Sequence, residues 1–241
     1  TRRYATVQRP GAANVAQAAR EAGAKALVQV SALGADKSSA SAYARSKAQG
    51  EEAVQAAFAG ATILRPSVVF GAEDDFFNRF ARLAQFSPVL PVFTADGFRF
   101  VCREGRCGID LFGSGGPTFQ PVHVTDLAEA IFRVATQPRL AGRIYELGGP
   151  RRYTLKEVME TVLAATGRRR LLVPLPFAVA RAQAFVLQWL PNPPLTPDQV
   201  MLMRTDNVVR GGKPGMAELG VVATACEAIV PNYLGRFRPG A

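Results

Sequence analysis

Residues 26–66 read ALVQVSALGADKSSASAYARSKAQGEEAVQAAFAGATILRP, and this stretch decides the fold. Ala26-Leu-Val-Gln-Val-Ser31 is a short apolar run of the kind that forms a strand buried on both faces. Ser39–Ala59 then reads as a helix with Glu51 and Glu52 outside its apolar face, and Ala61-Thr-Ile-Leu-Arg65 is a second apolar run ended by Pro66. Strand, helix and strand in succession make a parallel crossover unit, because parallel neighbours need a long connection back along the sheet.

Outward from this unit the alternation continues. Asn14–Gly23 is an Ala-rich helix with a glycine stop, Phe76–Phe86 and Thr125–Thr136 are further helices, and Arg143–Leu147 is a strand closed by Gly148-Gly149. Residues 1–150 therefore read as an α/β domain, a doubly wound parallel sheet with helices on both faces. An insertion over about residues 94–110 interrupts it. Phe98, Phe100 and Cys102 alternate, Arg103-Glu-Gly-Arg106 turns, and Cys107 begins a return strand opposite Cys102. The two cysteines read as reduced thiols on a hairpin rather than as a redox pair or metal site.

Residues 151–241 form a smaller, α-rich region. Thr154 and Glu157 have the spacing of a capping box, and the helix they open runs to Gly167. Arg168, Arg169 and Arg170 follow, then an apolar helix over Phe177–Leu190, too short for the roughly 20 residues a bilayer crossing needs. Such a helix favours a buried or partner-docking place, while the arginines and Trp189 keep a membrane-surface role open. Asp198–Arg204 and Cys226–Leu234 are the last helices.

Composition narrows the classes. The 241 residues carry 29 Lys+Arg against 19 Asp+Glu, a net +10, and 48% are hydrophobic, which excludes a disordered chain. Seventeen prolines and 22 glycines exclude a coiled coil. Three cysteines and one histidine exclude a disulfide framework and a zinc quartet. The charge implies an acidic partner such as anionic lipid or a phosphorylated cofactor. Nucleic acid is disfavoured, because the basic residues are spread out with no recognition motif or aromatic platform.

The chemistry-bearing residues are Ser31 at the first strand end, Tyr43-Ala-Arg-Ser-Lys47 on the following helix, and Arg65-Pro-Ser-Val-Val-Phe-Gly71 after the second strand. Tyr43 and Lys47 lie on one helix face at i, i+4. An ammonium beside a phenol favours the phenolate, lowering a pKa from about 10 towards the range of a general acid or base. On these residues the sequence resembles the short-chain dehydrogenase/reductase superfamily, extended or atypical branch. That resemblance implies an NAD(P)-binding Rossmann-like domain, a catalytic set of Ser31, Tyr43 and Lys47, and contacts from Tyr43, Lys47, Pro66, Ser67 and Val68 to NADPH or NADH. Leu33 and Gly34 stand where extended enzymes often place a second Ser or Thr, which leaves Ser39 or Ser41 as substitutes; the site reads as cofactor-holding rather than catalytic. His123 reads as structural, and Arg65 as an ion-pair partner of a carboxylate such as Asp74 or as a cofactor-phosphate contact.

SALGAD, SAYARSKAQGE, ILRPSVVFG, Glu73-Asp-Asp-Phe-Phe-Asn78, FQPVHVTDLAEAI, GGPRRYTLKEV and PLTPDQVMLMRTDNVV together resemble a narrower family, the NAD(P)H-binding accessory subunits of respiratory complex I of the alpha subcomplex subunit nine type. The resemblance implies a structural dinucleotide site and other complex I subunits as partners. It also implies peripheral membrane contact near Arg168, Arg169, Arg170 and Phe177–Leu190, on the cytoplasmic face of a bacterial inner membrane or the matrix side of the mitochondrial one. The wider superfamily implies instead an NAD(P)-dependent epimerase, dehydratase or reductase. Both open on a strand and a Gly-x-x-Gly-x-x-Gly loop for the pyrophosphate. Gly113-Ser-Gly-Gly116 is no substitute, since it runs into Pro117 without a helix after it. The expectation is that roughly 85 to 95 residues of a family member precede Thr1, that these residues alone bind cofactor weakly, and that Ala26–Ser31 is an exposed sheet edge.

Overall fold

The structure, a computed structural model, describes residues 2–94, 99–103, 106–190, 193 and 195–240, with side chains from residue 9 onward outside 99–109. Its elements are α1 (Arg2–Glu21), β1 (Val28–Val30), α2 (Ala42–Ala57), β2 (Thr62–Pro66), β3 (Val69–Phe70), α3 (Phe77–Phe86), β4 (Val89–Thr94), β5 (Arg99–Arg103), β6 (Arg106–Asp110), β7 (Thr118–Phe119), β8 (Val122–His123), α4 (Val124–Thr136), β9 (Ile144–Leu147), β10 (Tyr153–Thr154), α5 (Leu155–Thr166), β11 (Leu171–Pro176), α6 (Phe177–Leu187), α7 (Pro197–Leu202) and α8 (Cys226–Leu234). They fall into two interleaved compact units. One holds Thr1–Val69, Gln120–Pro150 and Asn207–Thr224; the other holds Phe70–Phe119, Arg151–Asp206 and Ala225–Ala241. The sequence suggests one cut near residue 150, whereas the chain also passes between units after residues 69, 119, 206 and 224.

The first unit is built on a parallel sheet of order β1-β2-β9, in register Gln29↔Ile63 and Ile63↔Ile144. Ile63 and Leu64 are both fully buried because alternate side chains leave a strand on opposite faces and both faces are covered. On one face Ile63 packs with Ala16 of α1, Val54 of α2 and Phe58 just beyond α2. On the other, Leu64, Tyr145 and Leu147 pack with Leu127, Ala130 and Val134 of α4 and with Met216, Leu219 and Val221. Buried Tyr145 donates its hydroxyl to the Leu140 carbonyl at 2.8 Å. Among the described residues β1 pairs with β2 alone, as expected of an edge. Helix α1 runs back through Pro10 to Arg2 rather than starting at Asn14, with Ala12, Ala16 and Ala19 on its packed stripe.

The later segment of this unit, Asn207–Thr224, is tied down by two motifs of the middle sequence. Asp126 accepts from the Thr224 N–H at 2.7 Å and from its hydroxyl at 2.9 Å. Arg133 donates to the carbonyls of Leu219 and Gly220 at 2.9 and 3.0 Å.

In the second unit β4 and β11 pair in parallel, Leu90 opposite Leu172 and Val92 opposite Pro174. Two prolines hide this strand in the sequence. Leu171 donates its N–H towards the partner strand, to Pro88 at 3.0 Å, so Pro174 and Pro176, out of phase with it, take the other edge, where no donor is needed. The β5–β6 hairpin forms with Cys102 opposite Cys107 in register; their side chains lie outside the described ones. Helix α5 has the predicted box, Thr154 accepting from the Glu157 N–H and Glu157 from the Thr154 N–H, and Gly167 ends it at φ 62°. The acidic run before α3 is a structural corner: Asp74 accepts from the Asn78 N–H at 3.2 Å and the Tyr233 hydroxyl at 2.6 Å, while Arg236 donates to Asn78 at 2.7 Å. Burial, above all, then pushes the Tyr233 hydroxyl pKa up.

Arg151 lies between Glu157 and Glu227, donating to each at 2.9 Å, and Tyr153 donates to Glu227 at 2.6 Å. The Thr154 N–H, first, and Arg151 hold the Glu157 carboxyl below its ordinary range. Burial pushes Glu227 up, but Tyr153, its own N–H and Arg151 outweigh this and hold it low. A carboxyl held low in the fold stabilises it above the unfolded pKa, and that contribution is lost as pH falls through the folded value. The melting temperature should therefore drop between about pH 5 and pH 3, and Glu227→Gln should flatten that part of the profile. Thermal melts of both proteins across that range check it.

Candidate functional site

The site is assembled at the carboxyl ends of β1, β2 and β9, where open parallel sheets place their ligands. Beyond β1 the ladder continues: Ser31 N–H donates to Leu64 at 2.7 Å and Leu33 N–H to Pro66 at 2.9 Å. Ser31 is 4% exposed, and its Oγ has no hydrogen-bond partner among the described residues. The Gln29 Oε1, two residues earlier and thus on the same strand face, is buried without a partner as well. Native interiors seldom leave such oxygens unmet, so they mark a place where a polar ligand group would be stabilised.

After Ser31 the chain folds back on the start of α2, Asp36 N–H meeting the Ala44 carbonyl at 3.3 Å. Ser41 is the N-cap, accepting from the Ala44 N–H at 3.3 Å, and Ser39 accepts from the Ser41 N–H at 3.1 Å. These two hydroxyls are helix-start groups, which argues against either one as a substitute catalytic serine.

Tyr43, Lys47 and Glu51 follow at i, i+4 and i+8 along α2. The Lys47 Nζ lies 5.8 Å from the Tyr43 ring centre. Burial, opposed by Glu51, lowers the Lys47 pKa. Glu51, expected outside the apolar face, is instead 3% exposed and grips Arg65: Nε donates to Oε1 at 2.9 Å and the terminal nitrogen to Oε2 at 2.5 Å. The expectation that Arg65 forms a structural ion pair holds, with Glu51 rather than Asp74 as the carboxylate, and Nε and one terminal nitrogen are engaged in it. Spacing explains it, since Glu51 stands one turn beyond Lys47 on the helix face turned to β2.

Pro66, Ser67 and Val68 continue from β2. Ser67 N–H donates to the Leu147 carbonyl at 2.8 Å. Its hydroxyl donates to Asn207, 2.9 Å from the main-chain oxygen and 2.6 Å from Oδ1, and Val68 N–H donates to the same Oδ1 at 3.1 Å. Asn207 is a site residue that sequence reasoning missed. Gln120, missed too, accepts from Val209 N–H at 3.1 Å and donates to the Gly149 carbonyl at 2.8 Å. His123 stands at the N-cap position of α4 without a side-chain cap bond. Gly113–Gly116 is a packing turn in the other unit: Gly116 has φ +84°, and a Cβ there would lie 2.4 Å from the Phe93 carbonyl oxygen.

A parallel sheet wound on both faces, with a Ser, a Tyr-x-x-x-Lys helix and a Pro-Ser-Val turn brought to one end, defines the Rossmann-like dinucleotide-binding class. Residues 2–148 match the NAD dependent epimerase/dehydratase family, and the chain belongs to it. Over 232 residues, 93% of the chain, it is 32% identical to NADH dehydrogenase (ubiquinone) 1 alpha subcomplex subunit 9, mitochondrial, of Mus musculus, covering 55% of that protein. It is 34% identical over 186 residues to the ceramide reductase of Caulobacter vibrioides, covering 76% of this chain and 51% of that one. The chain thus spans about half the length of these relatives. Among solved structures, the NADPH-dependent quinone oxidoreductase QOR2 of Escherichia coli, complexed with NADPH, has the same fold, with TM-score 0.68 and 20% identity over 95% of this chain and 72% of that one.

The family is NAD(P)-binding, and the residues present fit the nicotinamide half of a dinucleotide in part. Ser31 offers an unmet hydroxyl and Lys47 a donor on the helix beside Tyr43, whereas Ser67 and Val68 already have partners in Asn207. Removing one member of a buried ion pair costs about 3 kcal/mol or more, because the other is left uncompensated. Glu51→Ala should therefore lower stability by about that amount in chemical denaturation, and Glu51→Ala with Arg65→Met should recover most of it.

Proposed function

We propose that this chain serves as a dinucleotide-binding accessory subunit of an NADH:ubiquinone oxidoreductase, holding NADPH or NADH as a structural cofactor. The observation that carries this reading is the reach of the similarity to subunit 9. The family match ends at residue 148, yet identity to the mouse subunit extends over 93% of the chain, into the α-rich later region that family membership alone does not account for. In this reading Tyr43 and Lys47 hold the nicotinamide ribose, Ser31 faces the ring, and Pro66 lines it. The bound dinucleotide would supply a hydride-carrying ring that need not turn over.

Membrane contact is the second part of the reading. In α6 only Ala180 and Ala184 are buried, while Phe185 is 63% and Val186 69% exposed, and Trp189 just beyond the helix is 81% exposed, which overturns a core placement of this helix. A groove of about 560 Å³ with Arg181 at its wall runs beside these side chains. No helix among the described residues is long and apolar enough to cross a membrane. Exposed aromatics beside cations suit the headgroup boundary of an anionic leaflet. Of the arginine cluster, Arg168 and Arg170 each spend an Nε–H on a carbonyl, of Phe237 and Ala84 at 2.8 Å, so Arg169 is the freest of the three for lipid. The protein then sits peripherally on the cytoplasmic face of a bacterial inner membrane or the matrix side of the mitochondrial one.

An oxidoreductase or epimerase is favoured by one observation, the unmet Ser31 hydroxyl beside a Tyr-x-x-x-Lys helix, and by the likeness to ceramide reductase. Affinity purification of the complete gene product decides between them. Recovery of the core complex I subunits, with Tyr43→Phe leaving assembly and respiration unchanged, supports the accessory reading; a free soluble protein whose Tyr43→Phe form loses a measurable reduction supports the enzyme. Phe185→Ser with Trp189→Ser should lower partition onto anionic vesicles by about tenfold or more in co-sedimentation.

A further inference from the structure

Asn207 lies 140 residues from Ser67 in sequence, yet its side chain carbonyl meets both polar groups of the turn beyond β2. We propose that the Asn207 carboxamide is a built-in stand-in for the nicotinamide carboxamide, occupying its place on the Ser67–Val68 turn and leaving when a dinucleotide seats. The inference rests on the cofactor reading above and adds a competitor within the chain.

Four observations carry it. Asparagine and nicotinamide end in the same group, a primary amide with one carbonyl acceptor and two N–H donors. Val68 has a single N–H, which donates to Oδ1 at 3.1 Å, so a ligand carbonyl and Asn207 cannot both take it in good geometry. The main chain of Asn207 is held separately, its oxygen accepting from Gln120 N–H at 3.1 Å and from Ser67 Oγ at 2.9 Å; the side chain can turn away without releasing the segment. Beyond it Val209 N–H donates to Gln120 Oε1 at 3.1 Å and Pro214 accepts from Glu146 N–H at 3.0 Å, so the segment is held in place on the far side as well. Rotation about the Asn207 side-chain bonds needs no movement of these anchors. The unmet Ser31 hydroxyl sits on the strand next to the turn, joined to it through Leu33 N–H and the Pro66 carbonyl at 2.9 Å.

Competition and support predict opposite signs. In the complete gene product, NADPH and NADH are titrated beside 2′-phospho-ADP-ribose and ADP-ribose, which lack the nicotinamide ring, with binding followed by calorimetry and by the fluorescence of the reduced ring. Asn207→Ala, which keeps the main-chain bonds, should tighten binding of the complete dinucleotides by about three- to tenfold, the worth of one or two hydrogen bonds, and leave the ADP-ribose forms unchanged. Asn207→Asp keeps the acceptor and should give no tightening. Asn207→Leu, which likewise keeps the main-chain bonds and removes the Oδ1 acceptor, should shift the same ratio in the same direction. Equal weakening of both ligand sets, or an unchanged ratio in both Asn207→Ala and Asn207→Leu, overturns the stand-in while leaving the cofactor site in place. Failure of the unmutated protein to bind any of the four ligands overturns the cofactor reading and the stand-in with it.

Discussion

Strand β2 is the constraint on which the first unit depends. It is paired on both edges, with β1 and β9, and covered on both faces, so Thr62, Ile63 and Leu64 are each within 1% of full burial. A strand in that position must satisfy its backbone by ladder bonds alone and can carry polar side chains only at its end. The three residues that follow the buried run, Arg65, Pro66 and Ser67, are accordingly the ones that make ion-pair, turn and side-chain contacts. The register Val30↔Leu64 and Leu64↔Tyr145 then fixes which residues of β1 and β9 arrive beside them. A slip by one residue would turn Ser31 away from the α2 face and end the juxtaposition.

A buried Arg65–Glu51 pair is a costly way to stabilise a fold, since desolvation of both charges offsets most of their attraction. Its geometry gives it a different value. Two parallel N–H···O bonds fix the carboxylate in one plane, and with Arg65 holding both oxygens, Glu51 opposes the effect of burial on Lys47 without capturing its ammonium. The helix face from Tyr43 to Glu51 is thereby anchored to the strand end at one point. Ion pair, helix spacing and strand register are parts of one device for placing Tyr43 and Lys47 at the carboxyl edge of the sheet.

What the sequence disclosed follows the range of the interactions concerned. Local signals were legible: the apolar runs of β1 and β2, the Thr154–Glu157 box, the Gly167 stop and the bounds of α8 all arise within a few residues of chain. The family resemblance placed Ser31, Tyr43 and Lys47 by motif. Asn207 and Gln120 were invisible because their partners lie 140 and 89 residues away and an isolated Asn or Gln carries no periodicity. Strand β11 was obscured by its prolines, which are tolerated only because of which edge they face, a property of the pairing rather than of the residues. Arg65 was recognised as an ion-pair residue, but its partner was misjudged, since nothing in one sequence ranks Glu51 above Asp74.

Helix α6 shows the same limit from the apolar side. Its composition is equally that of a core helix and of a surface one, because alanine, valine and phenylalanine serve both. The structure separates them by size: Ala180 and Ala184, one turn apart, make the close contact, and the larger Phe185, Val186 and Trp189 are left outside. Burying the small residues and exposing the large ones inverts the distribution that solvation by water favours, in which each large apolar side chain removed from water contributes about 1.5–3 kcal/mol. These side chains, beside the Arg181 groove and within a chain of net charge +10, are the feature on which the proposed contact with an anionic membrane surface rests. On that proposal, the charge that composition alone left open to any acidic partner would act beside the large apolar side chains that the fold leaves exposed.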